Sequence, residues 1–383
     1  MDIEATIDAK IRPWLIESLG RQTANALLTK ATLAYVSTDG SEAERVEAFI
    51  DAIRSDQRVV NAWSEEMIAA YSQEWVDLLK PAMSTEEPTA SARILDGRAM
   101  AEEVREEIVA DVAAFEERYG LVPTIAVVRA GEDPASVSYA KMIKRSFENA
   151  GMKFTLRALP ATASQQEIID IVCMLNANSA INGIMVQEPL PKGIDDIAIK
   201  STIAPEKDAD GVNPINAGRL AQAAPVGRSA AEEDYLVPAT PLGGLEMLKR
   251  AGIEMDGARA VVVGRSNIVG RPMTFLLMQH HATVSMCHSH TDPLGDVTRE
   301  ADILCVAVGV AELIKADMVK PGAVVIDFGF NKKDGKWVGD VDFDAVKEVA
   351  GAITPVPGGT GSMTNVMLMR NVLRAARRRM EKR

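Results

Sequence analysis

The turn at residues 264–270 has the residue types that bind a phosphate group. Gly264 ends an apolar run, and Gly270 begins a segment with helical patterning. Glycine lets the backbone approach a ligand closely, and the N-terminus of a helix favours negative charge. The spacing is not the common three-glycine pattern GxGxxG, so a plain strand-to-helix turn stays an open alternative.

The next predicted strand, 282–287, bears on which nucleotide would bind there. In sites for NAD, an acidic residue about 20 residues after the glycines binds the ribose hydroxyls. Here no carboxylate follows the strand until Asp292. A phosphate on the ribose would instead find Ser289, Arg265 and a protonated His290. The sequence therefore favours NADP over NAD, although the histidines could equally be ordinary exposed loop residues.

Few other residues have side chains or positions that suggest a role in binding or catalysis. Gly309 ends a third apolar strand, where it would let the backbone approach a cofactor or would simply end the strand. All four histidines lie between His280 and His290, so chemistry in the first two thirds of the chain must use Lys, Tyr, Asp, Glu or Gln. No HExxH pattern or other metal-ligand spacing occurs, and we expect no metal.

The elements that would position these residues follow an α/β pattern from residue 92 onward. Strands alternate with helices and short loops, which predicts parallel sheets wrapped by helices. The strands are nearly continuous apolar runs, as expected when both faces of a sheet are buried. The predicted strands are 124–128, 153–158, 183–187, 260–264, 282–287, 302–307 and 323–328, and the predicted helices include 97–118, 136–150 and 363–379.

The first 82 residues have a different pattern. Apolar residues recur at the three- and four-residue spacing of helices, as at Val46, Phe49 and Ile53. We predict a small all-α module over 1–82, followed by a polar, proline-bearing linker over 83–91. Its role is open between oligomerisation, docking of a partner enzyme and a structural appendage.

Composition limits the partners and the compartment. The net charge of −12 argues against nucleic acid or an anionic membrane as the main partner, but not against an anionic small molecule in a local basic pocket. The N-terminal segment lacks the apolar stretch of a secretory signal, and no apolar run reaches membrane-spanning length. We therefore expect a soluble cytoplasmic protein in which Cys173, Cys287 and Cys305 are small buried residues.

From residue 92 onward the chain resembles the bifunctional methylenetetrahydrofolate dehydrogenase/methenyltetrahydrofolate cyclohydrolase family. The resemblance implies two α/β domains that flank a cleft, the second of them Rossmann-like, usually in a homodimer. It assigns folate binding to 92–239, completed by the C-terminal helix 360–383, and NADP binding to 240–359. The blocks that carry it are ILDGRAMAEEV, DPASVSYA, VQEPLPKGID, APEKDADGVNPINAGRL, PATPLGG, VVVGRSNIVGRPM, ATVSMCHSHT, GDVDF and ITPVPGGTGSMT.

The resemblance also implies roles for individual residues. Tyr139 would stack against the pterin ring, Gln187 would belong to the catalytic set, and Asp210 would accept hydrogen bonds from the pterin N–H groups. Without the resemblance, a core aromatic and a turn-capping aspartate are the simpler interpretations. The remaining implied contacts are those of Pro357, Gly358 and Gly359 with folate, and those of Gly264, Arg265, Ser266, Ser289 and Phe330 with NADP, to which the strand-end position adds Gly309.

One position departs from the family in a way that changes the expected chemistry. The family has a lysine four residues after the tyrosine, and that lysine is the main catalytic residue for hydrolysis. This chain has Ile143 there, which offers neither charge nor proton. Lys141 and Lys144 should point away from that face of the helix. Glu188, in place of the family's apolar residue, would either retune the pocket or point to solvent.

These features predict an NADP-dependent methylenetetrahydrofolate dehydrogenase with weak or absent cyclohydrolase activity. Hydride transfer needs a positioned carbon and a tolerated positive charge, whereas hydrolysis needs proton transfers and an oriented water. A fully bifunctional enzyme, in which another group replaces the lysine, is one alternative. A non-catalytic folate-binding paralogue is another, and the retained NADP-site residues argue against it.

Overall fold

A computed structural model describes the protein at residues 7, 11–38, 42–64, 66–68, 70–72, 75, 91–226 and 234–381. The chain forms two compact units, Met1–Glu87 and Pro88–Arg383. The predicted linker 83–91 lies outside the described residues, except for its last residue. No helix among the described residues is long and apolar enough to cross a membrane.

The first unit is helical where it is described, as the spacing of its apolar residues predicts. Its apolar faces meet in one core that includes Leu15, Leu27 and Phe49. Asp56 caps the helix Gln57–Ala62 by accepting a hydrogen bond from the backbone N–H of Arg58. The helices whose bounds fall among the described residues are α1 (Arg12–Leu19), α2 (Arg21–Ser37), α3 (Glu42–Arg54) and α4 (Gln57–Ala62).

The second unit alternates strands with helices. Its strands are β1 (Arg93–Ile94), β2 (Thr124–Ala130), β3 (Lys153–Leu159), β4 (Gly183–Val186), β5 (Arg259–Val263), β6 (Thr283–Cys287), β7 (Ile303–Val306), β8 (Val324–Asp327), β9 (Asn331–Lys333), β10 (Lys336–Val338) and β11 (Ala352–Ile353). Its helices are α5 (Gly97–Tyr119), α6 (Pro134–Asn149), α7 (Gln165–Ala177), α8 (Asp196–Thr202), α9 (Pro214–Gln222), α10 (Ala239–Arg250), α11 (Gly270–Gln279), α12 (Leu294–Thr298), α13 (Phe343–Val346) and α14 (Thr360–Glu381).

Two parallel sheets organise this unit. The smaller has the order β3-β2-β4, and the larger has the order β1-β11-β8-β7-β5-β6. In the larger sheet β6 pairs on one side of β5 and β7 pairs on the other. The chain therefore reverses its direction of travel across the sheet at β5, which is where open α/β sheets bind ligands.

Helix α14 links the smaller sheet to the elements around it. The side-chain amide of Asn371 donates to the carbonyl oxygens of Ala209 and Val237, over 2.9 and 2.8 Å. The side-chain amide of Asn365 donates to the hydroxyl of Ser146 on α6. These buried bonds fix the C-terminal helix beside the turn that precedes residue 210.

Three features of the second unit differ from the sequence expectations. Cys173 is exposed on α7, whereas Cys287 and Cys305 are buried, because the apolar run around Cys173 belongs to an amphipathic helix and not to a buried strand. The short hairpin β9–β10 was not predicted, since three of its six strand residues are lysines. The larger sheet also includes β1, which pairs with β11 across a separation of more than 250 residues.

Candidate active site

Helix α6 carries Tyr139 and is fixed at its N-terminus by a cap. Asp133 accepts hydrogen bonds from the backbone N–H and the hydroxyl of Ser136, at 2.9 and 3.0 Å, and Pro134 occupies the first turn. The Ser136 hydroxyl also lies 3.1 Å from the carbonyl oxygen of Glu188. The start of the tyrosine helix is thereby attached to the loop that follows β4.

Gln187 begins that loop and is 3% exposed. Its backbone N–H donates to the carbonyl oxygen of Val128, and its side-chain amide donates to the carbonyl oxygen of Ser136 over 3.3 Å. Its side-chain oxygen Oε1 is buried with no hydrogen-bond partner among the described residues. A buried acceptor without a partner is costly, so this oxygen is suited to a donor from a bound ligand.

Asp210 lies in a turn that is built on a buried carboxylate. Asp208 accepts hydrogen bonds from the backbone N–H groups of Val212 and Asn213, at 3.1 and 2.8 Å, and from the side chain of Asn216 at 2.9 Å. The turn closes at Gly211, with φ at +69°, where a Cβ atom would lie 2.4 Å from the backbone of the 237–238 segment. Asp208, rather than Asp210, is thus the residue that caps the turn.

One cavity of about 240 Å³ brings the three predicted folate residues together. Tyr139 enters from α6, Gln187 from the end of β4, and Asp210 from the turn after it. Ile268, in the predicted phosphate-binding turn, also contributes to the wall. The full lining is Tyr139, Met185, Val186, Gln187, Glu188, Lys200, Ile203, Asp210, Val212, Thr240, Ile268 and Thr364.

The cavity perturbs its titratable groups. Burial, followed by the negative charges of Asp208 and Glu188, raises the pKa of Asp210 to about 6, while Lys200 acts in the opposite direction. Burial and the charge of Asp210 raise the pKa of Tyr139 above its ordinary value. At neutral pH the tyrosine is a neutral hydroxyl and the aspartate is mainly a carboxylate.

Ile143 is fully buried in the main apolar core of the second unit and is not part of the cavity lining. Lys141 and Lys144 are exposed, and the Lys144 ammonium group lies 3.8 Å from a carboxylate oxygen of Glu148. These two lysines point away from the buried face of α6, as the helical spacing predicts.

Lys200 lines the cavity but is not among the residues predicted from the sequence. Its Nζ lies 2.7 Å from Oε1 of Glu188, and its side chain is 17% exposed. The Glu188 side chain is 49% exposed and also borders the cavity. Glu188 is thus both a pocket residue and in contact with solvent, which were the two alternatives for this position. No sequence motif or spacing points to Lys200, because it lies in a short helix among residue types that are common on protein surfaces.

The loop at 357–359 lies outside the lining of that cavity. A Cβ atom on Gly358, whose φ is +113°, would lie 3.2 Å from the Arg98 side chain. A Cβ atom on Gly97 would lie 2.1 Å from the carbonyl oxygen of Gly359. The two glycines therefore allow close packing of this loop on the start of α5. The structure places Pro357, Gly358 and Gly359 there, and their contact with folate stays a prediction.

The predicted nucleotide turn has the close backbone packing that its glycines suggest. Gly264 has φ at +125°, and a Cβ atom there would lie 2.2 Å from the carbonyl oxygen of Ala307. A Cβ atom on Gly270 would lie 2.1 Å from the carbonyl oxygen of Gly264. The Ser266 hydroxyl accepts from the N–H groups of Val269 and Gly270. In this structure Ser266 therefore closes the turn that leads into α11.

The other predicted cofactor residues follow the strands of the same sheet. Because β5 to β8 are parallel, the residues that follow them share one edge. Arg265 and Ser289 are exposed there. The N–H of Gly309 donates to Asp340 at 2.9 Å, and Phe330, 61% exposed, stacks on Trp337 with ring centroids 4.3 Å apart.

Comparison with known families matches nearly the whole second unit. A model described as the catalytic domain of tetrahydrofolate dehydrogenase/cyclohydrolase matches residues 95–210. A model described as the NAD(P)-binding domain of the same enzymes matches residues 238–380. The bifunctional protein FolD of Chloroflexus aurantiacus is 53% identical over 291 residues, which are 76% of this chain and 99% of the relative.

Solved structures give the same result. A bifunctional FolD dehydrogenase/cyclohydrolase from Campylobacter jejuni is 39% identical, with a TM-score of 0.71 over 76% of this chain and 100% of its own. The Trypanosoma brucei dehydrogenase-cyclohydrolase, solved with NADP and an inhibitor, is 36% identical, with a TM-score of 0.71 over 76% of this chain and 99% of its own.

Proposed function

Because the chain belongs to the tetrahydrofolate dehydrogenase/cyclohydrolase family, we propose that it oxidises 5,10-methylenetetrahydrofolate to 5,10-methenyltetrahydrofolate with NADP as the hydride acceptor. The observation that carries this proposal is the shared wall of the cavity. Tyr139, Gln187 and Asp210 line it together with Ile268 of the nucleotide turn. A folate bound by the first three residues would lie beside the cofactor edge of the larger sheet.

The folate side of the cavity offers a group to stack on the pterin ring and acceptors for the pterin N–H groups. Tyr139 offers a ring face and a neutral hydroxyl. The carboxylate of Asp210 accepts hydrogen bonds from ring and amino N–H groups, and those bonds are strong because the acceptor is charged. The unpartnered Oε1 of Gln187 accepts another. The three come from different elements, so a bound ring would be held on more than one side.

The nucleotide side fits a cofactor with a phosphorylated ribose. The backbone at Gly264 and Gly270 is too closely packed for a side chain, which is the shape that a phosphate-binding turn needs. Arg265 and Ser289 are exposed at the same sheet edge and would bind the ribose phosphate. Gly309 and Phe330 would border the cofactor, and Ser266 would hold the turn through its bonds to the N–H groups of Val269 and Gly270.

Hydride transfer from the one-carbon bridge needs little acid–base catalysis by the protein. When bound, the nicotinamide ring supplies the hydride acceptor. The chain's own residues bind the pterin, orient its one-carbon bridge and limit water. The positive charge left on the substrate after hydride loss lies in a cavity that already contains Asp210 and Glu188. Two carboxylates against the one ammonium group of Lys200 favour a cationic product.

Hydrolysis of that product is where this chain should differ from its relatives. Ile143 cannot move a proton or orient a water, and it is buried in the apolar core. General acid–base groups typically contribute about 100- to 10,000-fold in rate, so we expect cyclohydrolase activity to be reduced by at least about 100-fold. The Campylobacter jejuni relative is named for both activities, and the Chloroflexus aurantiacus relative is named bifunctional, which makes a fully bifunctional enzyme the competing proposal.

A paired assay of the purified protein tests both parts. We expect NADP reduction with methylenetetrahydrofolate and slow loss of the methenyl absorbance. Ile143→Lys should raise hydrolysis, while Ile143→Met, of similar length but uncharged, should leave it low. Absence of NADP reduction would point to a non-catalytic binder, and rapid hydrolysis by the unaltered protein would establish the bifunctional alternative.

The family resemblance also supports a homodimer and a cytoplasmic enzyme as part of the same proposal. Sedimentation of the full chain measures its oligomeric state directly. A mass of about twice 41.2 kDa is the expected result, and a monomeric active enzyme would contradict it.

A further inference from the structure

Lys200 occupies an unusual place for a surface lysine. It projects from the short helix α8 into the wall of the cavity, where its Nζ lies 2.7 Å from Glu188 and 2.9 Å from Asp196. Its side chain is 17% exposed, whereas those of the two carboxylates are 49% and 54% exposed. A lysine on a surface ion pair normally keeps its ammonium group in water, so the Lys200 side chain is unusually covered for such a pair.

The same lysine faces two cavities. It lines the one that contains Tyr139 and Asp210, and also a neighbouring one of about 370 Å³ whose wall includes Arg271 of α11. An ammonium group has three N–H donors. Two of them are directed to Glu188 and Asp196, so one remains for a group in the cavity.

The charges around Asp210 give this lysine a specific effect. Asp208 and Glu188 both oppose ionisation of Asp210, and of the groups that act on it Lys200 favours the carboxylate. Tyr139 is neutral and Ile143 carries no charge. Burial opposes the charge of Lys200, but its bonds to Glu188 and Asp196 outweigh burial and raise its pKa. Lys200 is therefore a fixed cation at neutral pH, and it is poorly suited to release a proton during hydrolysis.

Resting on the folate activity proposed above, we propose that Lys200 is a positioning residue of the folate cavity. Tied to Glu188, it supplies from α8 the cation that position 143 lacks, and it keeps Asp210 in the carboxylate form that binds the pterin N–H groups. Glu188 and Asp196 together hold Lys200 in place, and the negative charge of Glu188 itself opposes ionisation of Asp210.

Two variants with opposite charge changes test this proposal through the pH dependence of kcat/KM for methylenetetrahydrofolate. Lys200→Met removes the cation and should move the acid limb of the profile to higher pH by about one unit. Glu188→Gln removes an anion and should move the limb to lower pH. Lys200→Arg keeps the charge and should restore the position of the limb. Loss of a merely structural ion pair would lower activity in both variants without moving either limb.

A matched control and a second readout keep the test decisive. Lys144→Met removes an exposed lysine of the neighbouring helix and should leave the limb in place. Binding of tetrahydrofolate, followed by calorimetry between pH 5 and 8, should show the same opposite shifts without turnover; this pH range is set by the Asp210 pKa of about 6. Limbs that stay fixed, or that move together, would overturn the role of Lys200. An unaltered protein that neither oxidises methylenetetrahydrofolate nor binds tetrahydrofolate would instead overturn the proposed function.

Discussion

Asn216 donates its side-chain amide to Oδ2 of Asp208 across 2.9 Å, and both residues are buried beneath the turn that carries Asp210. The carboxylate also accepts two backbone N–H groups. Burial raises its pKa, and the hydrogen bonds from Asn216 and from backbone N–H groups oppose that shift. The geometry of Asp210, the proposed folate-binding aspartate, is therefore set by a neighbour two residues earlier that is not part of the cavity lining.

Asp208→Asn should destabilise the protein by about 1–3 kcal/mol, because an amide group would replace one of the two acceptor oxygens and leave a buried donor unsatisfied. It should also raise KM for folate more than it lowers kcat, since the turn, and not the chemistry, is altered. Denaturant unfolding and steady-state kinetics measure these effects.

Asp170→Asn, the same change on the exposed face of α7, is the control and should stay within about 0.5 kcal/mol. Equal losses from the two variants would show that the buried network contributes nothing particular to this turn.

The titration of Asp210 should appear in the activity of the unaltered enzyme. With a pKa of about 6, Asp210 is mainly a carboxylate above that pH, where it would accept hydrogen bonds from the proposed pterin ligand, and mainly protonated below it. We expect kcat/KM to fall about tenfold per pH unit below pH 6, with kcat less affected, because the group acts in binding. Initial rates between pH 5 and 8 test this.

Asp210→Asn should lower kcat/KM and remove that acid limb. A limb that persists in this variant would assign the titration to another group or to the substrate. Circular dichroism at the lowest pH used checks that the fold is intact while activity is lost.

The larger elements were predictable because hydrophobic periodicity is a strong local signal. The observed ends of the core strands lie within two residues of the predicted ends: the sequence predicts 260–264, and the structure has Arg259–Val263. Buried parallel strands are uniformly apolar, and glycines mark where they end. The turn at Gly264 was likewise visible, since its chemistry depends on residues adjacent in sequence.

The electrostatics of the site were not predictable, because they depend on residues that only the fold brings together. Lys200 and Glu188 are 12 positions apart on different elements, and neither α8 nor the loop after β4 has a spacing that pairs them. At position 143 the sequence predicts the loss of a charge and of a proton donor. That the Ile143 side chain packs into the apolar core is a tertiary feature that the sequence did not reveal.

Gly264→Ala tests the close packing of the nucleotide turn. Its Cβ atom would lie 2.2 Å from the carbonyl oxygen of Ala307, at a φ of +125°, so the turn must shift. We expect NADPH affinity to fall by at least about tenfold, with a lower melting temperature. Fluorescence titration and thermal unfolding measure the two effects.

Gly218→Ala is the matched control for that substitution. It lies within α9, with nothing within 4 Å of the added atom, and alanine there should be neutral or stabilise by up to about 1 kcal/mol. Unchanged NADPH binding in Gly264→Ala would contradict the assignment of this turn to the cofactor.

Cofactor preference provides the last prediction. Arg265 and Ser289 are exposed at the sheet edge, beyond β5 and β6, and no carboxylate follows β6 before Asp292. Arg265→Ala should lower kcat/KM with NADP by about 10- to 100-fold, as expected for the loss of a charge-assisted phosphate contact, and should leave the value with NAD nearly unchanged. Ser289→Asp should go further and favour NAD, because a carboxylate repels the ribose phosphate and accepts hydrogen bonds from free ribose hydroxyls. Arg259→Ala, at the opposite end of β5, controls for the loss of a surface arginine. Equal losses with both cofactors in Arg265→Ala would place the arginine at the shared pyrophosphate and leave the preference for NADP to other residues.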